Sequence, residues 1–288
     1  MTRPALRWSA HPVSIRTKGV LVYLAIAFGV TWPYLFVARL VLGLSLVNPL
    51  VQLPVATTPA IAAIVVRRWV TREGFADAGL TLRLRAAWNW WLLAWLGPFA
   101  IIGATMGVAA VWGWWQPDPA PIGGWAGIVL LLVVPVVLTP LYWGEEFGWT
   151  GYLRTRMVPG RPGWSVAATG LIWAIWHYPL AYLGYVELTD HSLSMLLWTV
   201  SFMLQQAILS WLCARSGSVW VASLAHAGNN MIIGLLSEQV LTDAGGMSQL
   251  QILWCSVVVL AAACLAVPAW QRVRNPRGRA ISPSPGSS

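Results

Sequence analysis

The chain has 288 residues, of which 58% are hydrophobic and only 9% are charged, and its mean hydropathy is +0.65. Because a soluble domain normally carries about 25% charged residues, this composition excludes an ordinary water-soluble fold. The 21 Trp residues agree with a membrane protein, since indole rings are enriched at membrane interfaces. The net charge of +9 does not indicate a nucleic-acid partner, because the basic residues form short clusters between apolar stretches, as in loops that face an anionic inner leaflet.

Eight apolar segments are long enough to cross the hydrocarbon core, which requires about 20 residues. The sequence therefore predicts an all-α, polytopic transmembrane bundle of about eight spans, at 20–44, 51–69, 88–114, 125–152, 164–186, 193–214, 218–237 and 250–271. Gln52, Pro54 and Pro59 interrupt the second span, although a bundle tolerates prolines. We expect one domain over 20–271, between a basic segment at 1–19 and a disordered, Arg-rich tail at 272–288.

The placement of charges predicts the orientation of the spans. If both termini are cytoplasmic, every Lys and Arg of the chain except Arg39 falls in a cytoplasmic segment. The external segments then contain no Lys or Arg, and they hold Asp118, Glu187, Asp190, Glu238 and Asp243. Since cytoplasmic loops carry an excess of Lys and Arg, the sequence predicts a multi-pass protein of the cell membrane with both termini inside.

Three of the predicted spans contain polar side chains that are costly in lipid. They are Glu145 and Glu146 in span four, His177 in span five, and His226, Asn229 and Asn230 in span seven. A charged side chain at mid-span costs about 2.5–3.5 kcal/mol on insertion scales, so the two carboxylates are expected to face protein or water. With a rise of about 1.5 Å per residue, the carboxylates and both histidines fall in the inner half of the bilayer.

Each of these residues also has a purely structural interpretation. A lone His in a span is as often a hydrogen-bonded packing residue as a functional one, and an Asn can serve as an interhelical contact. Gln205 and Gln206 in span six are best explained as contacts of that kind. A Glu-Glu pair at the depth of two His and an Asn is much harder to explain by packing alone.

This set of side chains suits the hydrolysis of a peptide bond, which needs a base to activate water and donors to stabilise the oxyanion. Glu145 in a partly apolar pocket suits the base, and His177 can share the proton transfer. His226 and Asn230 are one helical turn apart and can direct two donors to one oxygen. No cofactor is required for this chemistry. Glu145, His177 and His226 would also suffice for a catalytic Zn²⁺, but Asn is a poor zinc ligand, which favours the metal-free arrangement.

The three motifs resemble those of a known family. Glu145-Glu146, Trp173-x-x-x-His177 and His226-x-x-x-Asn230 are similar, in this order, to the signature of the CAAX protease and bacteriocin-processing (CPBP) family. The resemblance implies an intramembrane endopeptidase with a protease core at 125–237. It also implies that Glu145 and His177 activate water, by a glutamate-type or metalloprotease mechanism, and that His226 and Asn230 form the oxyanion site. Thr58-Pro59-Ala60 in span two is more weakly similar to a Gly-Pro-Ala-type stretch of the family.

The candidate catalytic residues are therefore Glu145, Glu146, His177, His226 and Asn230, and the candidate substrate-binding residues are Trp173 and Trp149. The sequence departs from the family pattern at Thr150, where the first motif has Arg, and at Trp173, where the second commonly has Phe. Because position 150 lies one helical turn after Glu146, the missing Arg removes the expected partner of that carboxylate. We expect Glu146 to be protonated near neutral pH and to hydrogen-bond to Thr150 or to a neighbouring helix.

The expected partner is a membrane-associated peptide or protein substrate within the lipid bilayer, and no prediction is made for the oligomeric state. Two other functions stay open on the same residues. One is a non-catalytic binder of a bacteriocin or toxin, as an immunity factor would be. The other is a proton-coupled transporter in which Glu and His residues relay protons.

Reporter fusions test the predicted orientation. A reporter fused after Arg161 or Ser288 should read cytoplasmic, and a reporter fused near Asp190 or Asp243 should read external, because the basic residues determine which loops stay inside. The measurement is the activity of a compartment-specific reporter enzyme in intact cells. An external reading at Ser288 would contradict the orientation.

Overall fold

The computed structural model describes residues 13–117, 124–186, 188 and 190–274. Over these ranges the chain is helical and contains no strand. The α-helices are α1 (Val13–Phe36), α2 (Pro49–Val65), α3 (Trp88–Val111), α4 (Gly124–Glu146), α5 (Pro162–Trp176), α6 (Tyr178–Tyr182), α7 (His191–Ser216), α8 (Val219–Gly228) and α9 (Gln249–Arg274).

Several of these helices continue as π-helix, in which each backbone N–H bonds to the carbonyl five residues earlier. The described π-helical segments are Val37–Val41, Val66–Val70, Phe147–Leu153, Asn229–Gly234 and Ser237–Asp243. Short π-helical turns are rare and frequently lie at functional sites. Two of them follow directly after polar motifs. Phe147–Leu153, the α4 extension, follows Glu146, and Asn229–Gly234 begins the α8 extension, residues 229–243, after Gly228.

All eight predicted spans fall on these helices, and seven helical segments within the described residues are long and apolar enough to cross a membrane. The fifth predicted span is instead divided at His177 into α5 and α6. Helix α5 begins at Pro162, a favoured first helical residue, and it ends just before Tyr178-Pro179, because proline provides no N–H for the helical ladder. The protein is a multi-pass membrane helix bundle.

Parts of the predicted termini and loops lie outside the described residues. Of the segments 1–19 and 272–288, only 13–19 and 272–274 are described, and these belong to α1 and α9. Asp118 and Glu187, two of the expected external acids, also lie outside the described ranges. The single-domain organisation and the orientation of the termini stay predictions.

Helix α4 packs between α2 and α8, while α5 packs along α7 and α8 packs on α3. Helix α1 covers the other side of the α4 extension with aromatic contacts. The ring of Tyr23 lies 5.5 Å from that of Trp149 and 5.0 Å from that of Tyr152. The Trp176 indole donates to the Ala27 carbonyl at 3.0 Å, which ties α5 to α1. These contacts hold the ends of α4 and α5 side by side.

A buried ion-pair cluster ties the end of α2 to the chain that follows α4. Arg67 and Arg156 are 1% and 3% exposed, and both pair with Glu73 in the α2–α3 loop. Arg67 also pairs with Asp77, and the Arg156 guanidinium lies 4.4 Å from the centre of the Tyr152 ring. Burial lowers the pKa of Arg156, and the Glu73 carboxylate opposes that shift. The interpretation of the basic clusters as leaflet-facing is therefore wrong for these two arginines, whose charges are neutralised inside the protein.

A double-mutant cycle tests the cluster. Arg156→Met leaves one excess buried negative charge and Glu73→Gln one excess positive charge, whereas the double variant leaves Arg67 and Asp77 in balance. Breaking a buried ion pair costs about 3–5 kcal/mol, while removing both partners is often nearly neutral. The double variant should therefore lose less free energy of unfolding than the sum of the single variants, as measured by denaturation in detergent. Additive losses would show that the charges are independent.

Candidate active site

The structure brings Glu145, Glu146, His177 and His226 together from three helices. Glu145 and Glu146 end α4, His177 terminates α5, and His226 lies in the last turn of α8. The two carboxylates and His226 are buried, and the His177 side chain is 13% exposed. Residues that the sequence predicted at one depth thus form one cluster.

Trp173 connects Glu145 to His177. Its indole N–H donates to Glu145 Oε2 at 2.8 Å, and its backbone carbonyl accepts from His177 Nδ1 at 2.9 Å. His177 Nε2 lies 3.9 Å from the same carboxylate oxygen. Because Nδ1 carries the proton in the bond to the carbonyl, Nε2 of a neutral His177 is a proton acceptor. A separation of 3.9 Å is too long for a direct hydrogen bond, and such a gap can be bridged by one water molecule.

The end of α5 explains why the Trp173 carbonyl can hold the imidazole. In a continuing helix this carbonyl would bond only to the backbone N–H four residues later. Here that N–H, of His177, is shared between the carbonyls of Trp173 at 3.3 Å and Ala174 at 3.1 Å. The Trp173 carbonyl therefore retains acceptor capacity for the His177 side chain, which folds back over the last turn.

Glu146 pairs with His226 across the site. Glu146 Oε1 lies 3.0 Å from His226 Nδ1, which joins α4 to α8. The sequence left open whether Glu146 would bond to Thr150 or to a neighbouring helix, and the partner in the structure is the neighbouring helix. Thr150 Oγ1 accepts from Gln206 Nε2 of α7 at 3.0 Å. The position that carries Arg in the family pattern is thus fully buried and contacts a neutral amide.

Helix α7 supports the site through both of its glutamines, as the sequence predicted for interhelical contacts. Besides Thr150, the Gln206 amide donates to Ser210 Oγ at 2.9 Å. Gln205 Oε1 accepts from Asn229 Nδ2 of the α8 extension at 3.3 Å. Asn229 is therefore held by α7, and the neighbouring Asn230 is the asparagine that lies one turn after His226.

Asn230 and Trp149 differ from the other candidates in their surroundings. The exposed Asn230 side chain donates to the His226 backbone carbonyl at 3.3 Å, and its amide carries a second N–H. Trp149 is fully buried and packs against Tyr23 and Trp176, so in this conformation it presents no surface to a substrate. The other substrate-binding candidate, Trp173, is also buried, at 1% exposed. A role of either ring in substrate binding would require a rearrangement.

Tyr142 and Phe202 add an aromatic wall that the sequence analysis did not identify. The Phe202 ring lies 4.5 Å from that of His177 and 4.7 Å from that of Trp173, and the Tyr142 ring lies 4.8 Å from that of His226. Tyr142 precedes Glu146 by four residues, a spacing that places both on one helix face and could have identified it. Phe202 gives no such signal, because an aromatic residue in an apolar span has the same pattern whether it faces lipid or a site.

The arrangement does not gather a zinc site. Within the described part of the chain, no group of three His, Cys, Asp or Glu side chains is placed to hold a metal ion. His226 Nδ1 is bonded to Glu146 and His177 Nδ1 to a carbonyl, so only the two Nε2 atoms and Glu145 remain as donors. Zinc would require all three within about 2.0–2.2 Å of one point. The residues as placed do not fit the ion, and no catalytic step is derived through it.

Comparison with known proteins gives a family match over the site. Residues 121–232 match the family model described as type II CAAX prenyl endopeptidase Rce1-like. The match covers less than half of the chain and makes this segment Rce1-like, that is, similar to the CAAX protease family. No curated protein matches the chain. The Rce1-like domain contains all five candidate catalytic residues and the helices from α4 to α8, whereas α1 to α3 and α9 lie outside it. The protein thus combines an endopeptidase-family domain with a multi-pass membrane bundle.

Metal analysis tests the metal-free arrangement. Purified protein should contain far less than one equivalent of zinc, because the three candidate ligands are not gathered around one point. Glu145→Ala, His177→Ala and His226→Ala should leave the metal content unchanged, as should the control His191→Ala at the exposed start of α7. Stoichiometric zinc that each of the three substitutions removes, but His191→Ala does not, would establish a metal site.

Proposed function

We propose that this protein is an intramembrane endopeptidase that hydrolyses a peptide bond near the cytoplasmic leaflet, with a water activated by Glu145. The observation that carries the proposal is the geometry around Glu145. One of its oxygens accepts the Trp173 indole N–H at 2.8 Å and faces His177 Nε2 at 3.9 Å. A carboxylate and an imidazole acceptor that are close enough for one water molecule to bond to both are suited to removing a proton from water.

The reaction follows from these positions. The water oxygen adds to the carbonyl carbon of the scissile peptide bond while one of its protons passes to Glu145, with His177 orienting the water. The carbonyl oxygen becomes the oxyanion of a tetrahedral intermediate. When the C–N bond breaks, the proton returns from Glu145 to the leaving amine, so that the base is restored.

His226 contributes to the oxyanion site in its cationic form. In the tautomer whose Nδ1–H donates to Glu146, Nε2 can donate a hydrogen bond only when the ring carries a second proton. This role requires an ionised Glu146, in contrast to the protonated Glu146 expected from the sequence, because its negative charge stabilises the imidazolium. Glu146 therefore acts through His226 here, and not through an arginine one turn along α4. The second N–H of Asn230 is the other proposed donor to the oxyanion.

Peptide cleavage by matched variants tests the proposal. The protein in lipid nanodiscs is given quenched fluorescent peptides that end in a prenylated cysteine and three further residues, and products are identified by mass spectrometry. Glu145→Gln should abolish cleavage because Gln cannot take a proton. Glu146→Gln and His226→Gln should lower kcat by about 10²–10³-fold, the usual loss for an oxyanion donor. Glu238→Gln, at an exposed position on the α8 extension, should have no effect.

The same experiment separates the other two functions. Cleavage by Glu145→Gln at the rate of the unmodified protein would reject the proposed mechanism. Peptide binding without product, equal in both proteins, would indicate an immunity-type binder. Proton-driven substrate flux into vesicles without product would indicate a transporter.

A further inference from the structure

Two helices that carry the site, α4 and α8, each lie against a helix outside the Rce1-like domain at a glycine. A Cβ atom on Gly228, two residues after His226, would lie 2.5 Å from Pro98 Cγ and 3.1 Å from Pro98 Cβ of α3. A Cβ on Gly144, next to Glu145, would lie 2.3 Å from the Ala56 carbonyl oxygen of α2. Carbon atoms in contact are normally about 3.5–4.0 Å apart, so neither position has room for a methyl group.

These contacts bear on both halves of the Glu146–His226 pair. Glu146 approaches from α4, which rests on α2, and His226 approaches from α8, which rests on α3. The hydrogen bond that joins them is 3.0 Å long and would be lost beyond about 3.5 Å. Moving an added Cβ from 2.5 Å to an ordinary contact distance of about 3.5 Å from Pro98 Cγ would displace this part of α8 by about 1 Å, which exceeds that margin of about 0.5 Å. The separation of α3 and α8 at Gly228 therefore sets where His226 lies relative to Glu146.

We propose that Pro98 is a positioning residue for His226, which it holds at Glu146 through its contact with Gly228. The proposal rests on the function proposed above. Pro98 itself is buried in α3 and lies outside the segment that matches the family model. Its ring supplies the surface on which α8 rests, and only a glycine at 228 allows α8 to come that close. Misplacement of a catalytic group by about 1 Å can cost 10²-fold in rate.

Glycine is common at helix–helix contacts in membranes, so a purely structural role must be separated from a positioning role. A structural role predicts lower stability with the kinetics of the remaining folded protein unchanged. A positioning role predicts a lower kcat at an unchanged KM. It also predicts that kcat recovers when the Pro98 side chain on α3 is made smaller. The geometry allows that recovery, because Pro98→Ala removes Cγ and Cδ and leaves only the Cβ contact at 3.1 Å.

The kinetic experiment compares Gly228→Ala, Pro98→Ala and the double variant with Gly29→Ala. Gly29 lies in α1 with no atom within 4 Å of an added Cβ, so it controls for glycine replacement in a helix. Gly228→Ala should lower kcat by about 10–100-fold with KM unchanged. The double variant should recover most of that loss, and Gly29→Ala should behave like the unmodified protein. Thermal unfolding in detergent verifies that each variant is folded.

Histidine nuclear magnetic resonance provides a readout that does not depend on cleavage. The chain has only four His residues, so ¹⁵N-histidine labelling resolves the His226 Nδ1 signal, which is assigned by its loss in His226→Gln. In Gly228→Ala this signal should move toward its position in Glu146→Gln, and in the double variant it should return. If these shifts occur while no peptide is cleaved, the positioning role stands and the endopeptidase function fails. If Gly228→Ala keeps both kcat and the Nδ1 signal, Pro98 does not position His226.

Discussion

Two adjacent carboxylates buried within a membrane bundle constrain the rest of this structure. Successive residues of a helix point about 100° apart, so Glu145 and Glu146 cannot share one partner. Glu145 is met by Trp173 and His177 at the end of α5, and Glu146 is met by His226 on α8. Because a buried charge without a partner is strongly unfavourable, α5 and α8 must both converge on the end of α4.

The convergence depends on where helices end and how closely they pack. Helix α5 stops at Trp176, which leaves the Trp173 carbonyl able to hold the His177 ring. Gly228 allows α8 to lie against α3 at a distance that no larger residue would permit. The site therefore depends on where the helices that carry it end, and on α3, which carries none of its polar side chains.

In the described part of the chain, two groups of ionisable side chains lie largely inside the protein. One group is the carboxylate–histidine cluster. The other is formed by Arg67, Arg156, Glu73 and Asp77 beyond the end of α4. The segment Phe147–Leu153 connects the two groups. The hydroxyl of its Thr150 accepts from Gln206 of α7, and the Thr150 backbone carbonyl accepts from Arg154 Nε at 2.9 Å. With Thr at position 150, the Glu146 side chain pairs with His226 from another helix.

The sequence alone determined the membrane class, the positions of the spans and the set of polar residues that meet, because hydrophobic length and helical spacing are properties of the local chain. It also contained the cause of the break at His177, since Pro179 is visible in it. Only the tertiary structure decided that Glu146 pairs with His226, that Phe202 faces the site, that Trp149 is enclosed, and that Arg67 and Arg156 are buried. These outcomes depend on how each helix is rotated about its axis and how closely it approaches its neighbours. Both are set by packing between segments far apart in the chain, which a nearly uniform apolar sequence does not encode in any local pattern.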